Sequence, residues 1–534
     1  MNAYYVSFRF KLYHSACPPH TMQHHTQYQH YIPQFILRNF SHPYWPPKNK
    51  GPRKNDGPRP KKGIMRGQKV LNIVDLASDE PQVREVPVSR WFGQENMYSN
   101  AENAIKSHKN IEVELSKLES RTAIILQKVS KAQASGELGL WLDRSERDLL
   151  RKFLFIMKYR GPGFFGKYFA GDPQSYQWDD KNLLRWYMEE HGFTDPRDVW
   201  LHNLQGILDL KMDAEGKWKM KLPEMIFPTD AQMFIHHVQS SYTAFCTPRE
   251  ADDEFILTDQ CYNLMEGPIC ETNNAVTGED LGAMYLTFHE FGPVSPKLII
   301  VLRSFVLPEM VEDANPEIKT FRETILQTAA VQFPYPERVK SVLADLPVAK
   351  ATNSYSRIVN GRLEPEPGMA EKPARSDKFC FRFWPIERRH VNIINSIFLD
   401  NILYCNSLAF CSTPSFTRTL EAYMTSNVHG FKRVGVGELH AKIGRRECLQ
   451  KLSLLLRTLG SDITPCWHEN EGARTPSATR SLDDTWIKMM SVLFKKVGGH
   501  SPDHNSAAFF STYNTLGTKP KTKNPFRLLA NRLR

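Results

Sequence analysis

The sequence predicts an α+β protein with a mainly helical core, a small antiparallel sheet and a helical C-terminal extension. Three observations support this fold class: helical apolar spacing between residues 101 and 157, short apolar segments between residues 232 and 302, and helical spacing again after Phe416. The chain has 534 residues, of which 41% are hydrophobic and 24% charged, so it can bury a sizeable core. Most of it is therefore expected to fold.

The first predicted elements are a strand and two helices. Leu71–Leu76 is a short apolar segment that suits a strand. A helix is predicted from about Ala101 to Lys131, because its apolar residues recur at spacings of three and four. A second helix is predicted to start at Ser145, with Ser145 and Asp148 as its N-terminal cap, and to stop at Gly161.

The middle of the chain changes to a strand-like pattern. Short segments separated by turn-forming residues predict one small antiparallel sheet, formed by Tyr242–Cys246, Glu254–Thr258, Met284–Phe288 and Leu298–Leu302. Helical patterns return near residues 321–332, 391–403 and 481–497, and a polar, Pro-rich segment covers residues 353–377.

These patterns divide the chain into three parts. Residues 1–27 lack periodicity and are expected to be a flexible N-terminus. Residues 28–415 form the predicted core, with a basic, Pro-rich insertion at residues 46–69. Residues 416–534 are expected to form a helical extension that ends in a basic tail.

The positive charge is concentrated in two segments. Residues 46–69 contain nine Lys or Arg and one acid, Asp56, which gives +8, and residues 515–534 contain six Lys or Arg and no acid, which gives +6. Together they exceed the +11 of the whole chain, so the remaining residues carry −3. Such basic segments bind nucleic acid, anionic lipid or a targeting receptor. The alternative is a solvated loop and tail that serve solubility.

Cysteine usage and hydropathy indicate a soluble intracellular protein of the cytoplasm or nucleus. The nine cysteines lack the spacing of a disulfide framework, and no Cys-x-x-Cys pair indicates zinc. Residues 1–11 have no continuous apolar region, which argues against a secretory signal. The apolar run Leu298–Leu302 stops at Arg303, far short of the ~20 residues that span a bilayer.

Several short motifs resemble one uncharacterised family, the domain of unknown function numbered 4238. The residues that carry the resemblance are His30–Phe35 with Leu37, Arg38 and Phe40, then Trp91-Phe92, Glu95–Tyr98, Leu115–Glu119, Tyr159-Arg160, Pro293–Lys297 and Asn395. The resemblance covers about residues 28–415 and implies no established activity. The family usually has Ser-Asp-Asn-Pro after one strand, whereas this chain has Thr258-Asp259-Gln260-Cys261.

Five polar residues in the family-like segments are candidate site residues. Glu95, Glu119 and Asp259 would bind Mg²⁺ or Mn²⁺, Lys297 would be an electrostatic helper and His30 a general base, as in a metal-dependent nuclease or phosphodiesterase. The match is imperfect, because such sites have an acid two residues before the lysine, where this chain has a serine. Structural roles are the alternative: an ion pair for Glu119, a hairpin turn before Lys297 and a hydrogen-bonded core position for His30.

Two function classes therefore stay open. The first is a non-catalytic interaction protein whose segments 46–69 and 515–534 contact an acidic partner such as nucleic acid; the second is the metal-dependent nuclease. A nucleotide-binding phosphate loop at Gly161–Lys167 is excluded, because the segment follows a helix, contains Pro162 and has Tyr168 in place of the magnesium-binding hydroxyl. The absence of a Gly-x-Ser-x-Gly motif leaves covalent hydrolysis without support.

Overall fold

The computed structural model describes residues 28–46, 64–95, 97–98, 111–169, 180–273, 280–359, 362–368, 373–428, 430–435 and 440–470. The α-helices of these residues are α1 (Gln34–Asn39), α2 (Ile111–Ala134), α3 (Arg144–Arg160), α4 (Pro162–Phe165), α5 (Lys181–His191), α6 (Pro196–Asp209), α7 (Trp218–Met225), α8 (Pro228–Gln239), α9 (Pro316–Ala330), α10 (Arg388–Asp400), α11 (Thr413–Thr425) and α12 (His440–Thr458).

The strands lie between these helices in a mixed order. They are β1 (Tyr28–His30), β2 (His42–Pro43), β3 (Lys69–Asp75), β4 (Val83–Pro87), β5 (Gly93–Glu95), β6 (Gly139–Asp143), β7 (Ser241–Pro248), β8 (Leu257–Thr258), β9 (Met265–Glu266), β10 (Ile269–Asn273), β11 (Asp280–Tyr285), β12 (His289–Ser295), β13 (Leu298–Ser304), β14 (Thr352–Asn353), β15 (Ser356–Val359), β16 (Arg362–Pro365), β17 (Lys378–Ile386), β18 (Ser407–Phe410), β19 (Arg433–Gly435) and β20 (His468–Asn470).

A seven-stranded mixed sheet forms the centre of the described chain. Its order is β14-β17-β7-β13-β12-β9, with β6 also paired to β17. Strand β13 pairs antiparallel with β7 and β12, whereas β17 runs parallel to β7 from the Phe383–Phe245 pair onward. All seven residues of β13 are buried, which is the pattern of a strand covered on both faces.

A five-stranded antiparallel sheet lies beside the N-terminal segment. Its order is β2-β3-β18-β8, and β4 pairs with β3. Buried and exposed residues do not alternate along β3, because four of its seven residues are buried. This is consistent with its position between neighbouring strands. The sheet therefore joins residues from both ends of the family-like core.

The predicted α+β class is confirmed, but the prediction of one small antiparallel sheet is wrong. The four predicted segments belong to three different sheets: β7 and β13 pair in the large mixed sheet, β8 pairs with β18, and β11 pairs with β10. Strand pairing depends on tertiary contacts far apart in sequence, such as that between Leu257 and Ala409, which no local pattern specifies.

Helices α2 and α3 form an antiparallel pair joined through β6. The residues before Ile111 of the first predicted helix lie outside the described residues. The predicted cap of α3 is wrong by two positions, because Asp143 precedes the helix and forms a capping box with Glu146, whose Oε2 accepts from the Asp143 N–H at 2.9 Å. Ser145 and Asp148 instead lie inside the helix.

Aromatic rings fill the space between α3, α6 and the α4 region. Trp200 on α6 is fully buried, stacks on Tyr98 at 5.9 Å between ring centroids and on Tyr159 at 6.3 Å, and donates from Nε1 to the Tyr159 carbonyl at 3.2 Å. Aromatic contacts of this kind add to the stabilisation from apolar burial. They fix the end of α3, which carries Arg160.

The last described helices pack in sequence order, α10 on α11 and α11 on α12. The predicted buried helix at 391–403 corresponds to α10, and the predicted domain boundary at 415 falls within α11. The predicted helix at 481–497 and the basic tail lie outside the described residues. None of the described helices combines the length and apolar character that a bilayer crossing requires.

Candidate functional site

The His30–Phe35 segment connects a short strand to a short helix near several other family-like residues. Strand β1 pairs antiparallel with β5, so that His30 lies opposite Gly93 and Tyr28 lies opposite Glu95. Pro33 sets an extended backbone before α1, since its φ is −58° and its ψ is 142°. The two sheet partners therefore hold His30 and Glu95 on one two-stranded ladder.

His30 is a half-buried base with a defined tautomer. Its Nε2 lies 3.2 Å from the Val88 carbonyl oxygen, so Nε2 carries the proton and Nδ1 is the acceptor nitrogen. Burial lowers the pKa of His30, and the charges of Arg160 and Arg38 act in the same direction, against the Val88 bond and the charge of Glu119. The imidazole is therefore neutral at pH 7.

Glu119 is held by a buried arginine. Arg160 Nη1 donates to Glu119 Oε1 at 2.7 Å, and the arginine is only 1% exposed. Burial opposes the charge of Arg160, but Glu119 and Tyr98 raise the pKa of the guanidinium above its ordinary value. The Tyr98 hydroxyl also lies close to the guanidinium and favours its charge. Glu119 thus stabilises a buried cation beside His30.

Asp259 lies near Tyr31, a residue of the His30–Phe35 segment. Its Oδ2 accepts from the Asn406 N–H at 2.9 Å, and its own N–H donates to the Ser407 carbonyl at 3.3 Å. Burial raises the pKa of Asp259 to about 7, although hydrogen bonds from Asn406 and Cys405 act against this shift. The residue therefore ties the end of β8 to the start of β18.

Lys297 contacts a different loop. Its Nζ donates to the carbonyls of Ala251 and Asp253, both at 2.7 Å, and lies 3.4 Å from Glu254 Oε1. These bonds fix the loop before β8 to the hairpin between β12 and β13. Glu95, by contrast, is exposed on β5.

The structure brings only part of the predicted site together. His30 and Glu119 act on each other electrostatically, as do Tyr31 and Asp259, whereas Lys297 binds the loop at 251–254. No three His, Cys, Asp or Glu side chains among the described residues are grouped to hold a metal ion. The assignment of Glu95, Glu119 and Asp259 as metal ligands stays a prediction, and so do the roles of His30 and Lys297.

The basic insertion has a structured base. Strands β2 and β3 pair at His42–Val70 and Pro43–Lys69, and the ladder continues as Tyr44 N–H donates to Gln68 O at 2.8 Å. The Gly67 N–H donates back to Tyr44 O at 2.9 Å. Residues 47–63, which contain most of the basic side chains, lie outside the described residues. The chain therefore leaves and re-enters the fold at adjacent, hydrogen-bonded positions.

An exposed tryptophan and an arginine lie at this base. The Trp45 side chain is 60% exposed, and Arg66 Cζ lies 4.7 Å from the centroid of its ring. This is a cation–π contact at the surface. Neither residue is among those predicted from the sequence. The signal that the sequence offers for them is an aromatic residue next to a Lys- and Arg-rich segment, a combination common in nucleic-acid-binding surfaces.

The excluded phosphate-loop segment has a structural role. Lys167 is buried, and its Nζ forms an ion pair with Asp180 at 2.9 Å and lies 3.9 Å from Asp230 Oδ1. Burial disfavours the charge of Lys167, but Asp180 and Asp230 raise its pKa above the ordinary value. The lysine is thus part of a buried charge network between α4, α5 and α8.

Comparison with known proteins identifies the family but no activity. No curated protein and no solved structure matches the chain. The sequence model of a protein family described as "Protein of unknown function (DUF4238)" matches residues 28–406, well over half of the chain. His30, Glu95, Glu119, Asp259 and Lys297 all lie within this match. The resemblance noted from the motifs is confirmed: the chain belongs to the DUF4238 family.

Proposed function

We propose that this protein is a non-catalytic interaction protein of the cytoplasm or nucleus that binds nucleic acid through its basic segments, residues 46–69 and 515–534. The observation that carries the proposal is the exposed Trp45–Arg66 pair at the hydrogen-bonded base of the first segment. It combines an aromatic face with fixed positive charge at the point where the basic segment joins the fold.

The distribution of charge favours a polyanionic partner. The two segments carry a net formal charge of +14, while the rest of the chain is close to neutral. Each phosphate neutralised by Lys or Arg releases condensed counterions, which supplies most of the free energy of non-specific binding to nucleic acid. A partner with closely spaced phosphates therefore gains the most binding free energy from such segments.

The base of the insertion adds a contact that charge alone does not supply. A largely exposed Trp ring can stack on a nucleobase, and such stacking contributes ~1–3 kcal/mol per base. Arg66 holds a positive charge over one face of the ring, and the Trp45 side chain is still 60% exposed. Because every base has a stacking face, the contact favours single strands without demanding a particular sequence.

The second candidate is the divalent-metal-dependent nuclease, with Mg²⁺ or Mn²⁺ as cofactor. In its favour, His30 is neutral at pH 7 and has a free Nδ1 lone pair, as a general base requires. Against it, the Lys297 amine donates to the Ala251 and Asp253 carbonyls and pairs with Glu254, and Glu119 Oε1 accepts from Arg160. Interaction without catalysis therefore has the better support.

The binding proposal is tested by titrating labelled single-stranded RNA, single-stranded DNA and duplex DNA with the full chain and following fluorescence anisotropy. We expect Trp45→Ala to weaken single-strand binding about tenfold, which corresponds to ~1.4 kcal/mol, within the range for one stacked base. Trp141→Ala is the matched control, because Trp141 is also exposed, at 47%, but lies on β6. Equal affinity of wild type and Trp45→Ala for single strands would overturn the proposed stacking of Trp45 on a nucleobase.

The same oligonucleotides, incubated with Mg²⁺ or Mn²⁺ and separated on a gel, test the nuclease alternative. The proposal predicts intact oligonucleotides. Cleavage that is lost in His30→Ala and in Glu119→Gln, with unchanged circular dichroism, would replace the interaction proposal by the nuclease.

A further inference from the structure

A buried lysine and a cysteine lie in contact beyond the family-matched region. Lys432 precedes β19 and is 0% exposed, although lysine is among the residues least often fully buried. Its φ is +54°, a left-handed conformation that is uncommon for a residue with a side chain. The surrounding structure therefore holds Lys432 in an unfavourable backbone conformation and places its amine in the interior.

Among the residues that the structure describes, no carboxylate is in direct contact with the Lys432 amine. Its Nζ donates to the Met424 carbonyl at 2.9 Å and to Cys466 Sγ at 3.4 Å. The nearest acid, Asp400, accepts instead from Tyr423 Oη and the Lys432 backbone N–H, both at 2.8 Å, and from Arg445 Nη2. Burial lowers the pKa of Lys432, against the effects of Cys466 and Asp400. The neutral, nucleophilic form of the amine is therefore more populated than in an ordinary lysine.

Cys466 is half-buried and faces solvent on one side. Its Sγ lies 3.3 Å from the Met424 carbonyl, which also accepts from Lys432, and 3.6 Å from the exposed Oδ1 of Asn427. One carbonyl thus holds the amine and the thiol together, while the sulfur stays within reach of a small oxidant. Three of the other cysteines, Cys246, Cys261 and Cys405, are fully buried.

We propose that Lys432 and Cys466 form a modification site, in which oxidation by hydrogen peroxide joins Lys432 Nζ to Cys466 Sγ as a sulfenamide. In the first step the Cys466 sulfur attacks peroxide, the O–O bond breaks, and a sulfenic acid and one water form. In the second step the Lys432 amine attacks that sulfur, the S–O bond breaks, and hydroxide leaves with an amine proton as water. Overall, one thiol, one amine and one peroxide give one S–N bond and two waters.

The link would fasten the C-terminal part of the described chain. Lys432 and Cys466 are 34 residues apart, and the intervening chain contains α12. They also precede β19 and β20, which pair with each other in parallel. A covalent S–N bond would close this loop, much as a disulfide restricts the unfolded chain. Oxidation would therefore fasten together the two ends of the loop that contains α12, and a thiol reductant would release them.

The experiment treats the full chain with hydrogen peroxide, blocks remaining thiols and analyses it by intact mass and peptide mapping. We expect a linked peptide that contains Lys432 and Cys466, lighter than the two parts by about 2 Da because each heavy atom loses a hydrogen, and its disappearance after reduction. Sulfinic acid at Cys466 with unmodified Lys432 in folded wild-type protein would overturn the proposal.

Three variants separate this chemistry from non-specific oxidation. Lys432→Arg keeps the positive charge but should give sulfenic or sulfinic acid without a link, and Cys466→Ser should give neither. Cys448→Ser, which removes another half-buried thiol on α12, should form the link as wild type does. Near-ultraviolet circular dichroism before oxidation checks folding. If Lys432→Arg does not fold, the Cys448→Ser protein still tests the proposal. Its failure to form the link between Lys432 and Cys466 would contradict the proposal.

Discussion

At the scale of single residues, Asp230 connects three parts of the helical layer. It is fully buried on α8 and accepts from Tyr159 Oη of α3 at 2.6 Å, Tyr168 Oη at 2.5 Å and Asn203 Nδ2 of α6 at 2.9 Å. Burial raises the pKa of Asp230, against the effects of Lys167 and the tyrosine hydroxyls. One carboxyl group therefore satisfies three donors that have no water available.

Removing this carboxyl group takes a buried acceptor away from all three donors. Each buried donor that loses its acceptor costs ~1–3 kcal/mol, so we expect Asp230→Ala to destabilise the protein by about 3 kcal/mol. The measurement is the apparent unfolding temperature, compared with Asp209→Ala, which removes an exposed carboxylate that accepts from Gln205 at 2.8 Å. Similar unfolding temperatures for the two variants would contradict this role of Asp230.

Asp259 should make stability depend on pH near neutrality. Because its pKa is about 7 when folded, the native state keeps its proton between pH 4 and 7, where the unfolded chain has released it. Stability then falls as pH rises across this range, since unfolding releases a proton that the native state retains and a higher pH favours that release. Above pH 7 the contribution is constant.

Asp259→Asn tests this directly, because the amide oxygen can still accept from Asn406 but the side chain cannot ionise. We expect the unfolding temperature of the variant, relative to wild type, to increase from pH 4 to pH 7 and then to level off. A difference that stays constant across that range, or decreases, would contradict the raised pKa of Asp259.

The sequence could place Glu119, Arg160 and Asp259 in family-like segments, but it could not show which residues they contact. Glu119 and Arg160 are 41 positions apart, and Trp45 and Arg66 meet only because β2 and β3 pair between them. The charge on Glu119 made it a candidate metal ligand, whereas the buried guanidinium of Arg160 supplies its partner. Contacts of this kind are set by tertiary packing, which single-sequence patterns do not contain.

At the scale of elements, α9 illustrates how a helix end is fixed. Asn315 precedes the helix, and its Oδ1 accepts from the N–H groups of Glu317 at 2.9 Å and Ile318 at 3.4 Å. Pro316 occupies the first helical position, where its missing N–H is not needed. These residues start α9 several positions before the helical pattern that the sequence suggested near Phe321.

Loss of this cap should weaken α9 locally. We expect Asn315→Ala to lower the free energy of opening of the first α9 amides by about 1 kcal/mol, measured by hydrogen exchange. Asn315→Asp is the matched control, since a carboxylate keeps the acceptor and suits the positive end of the helix dipole. Equal protection of the amides in Asn315→Ala and wild type would contradict the assignment of the cap.

Elements with a strong apolar period were predictable, and the pairing of short strands was not. The apolar spacing from Ile111 and from Val391 corresponds to α2 and α10 in the structure. Strands β8 and β18 are two and four residues long, and both are wholly buried, so neither shows an alternation. Their pairing places Asp259 next to Asn406, which decides the environment of that carboxyl group.

At the scale of the whole molecule, the sequence concentrates its positive charge in two segments and leaves the rest of the chain near neutral. The core contains the family-matched residues 28–406, with buried ion pairs such as Arg160–Glu119 and Lys167–Asp180. The basic insertion joins this core at the hydrogen-bonded end of β2 and β3. The location of the charge followed from counting residues, but its attachment beside an exposed tryptophan did not.

The central claim, that the basic segments bind nucleic acid, is tested most directly by the salt dependence of affinity for duplex DNA. Anisotropy titrations between about 50 and 200 mM salt give the slope of log Kobs against log salt concentration, which is ~0.9 per phosphate neutralised. Deleting residues 48–63 removes seven Lys or Arg while keeping the base of the insertion. The account predicts a clearly shallower slope and weaker binding than wild type; an unchanged slope and affinity would contradict it.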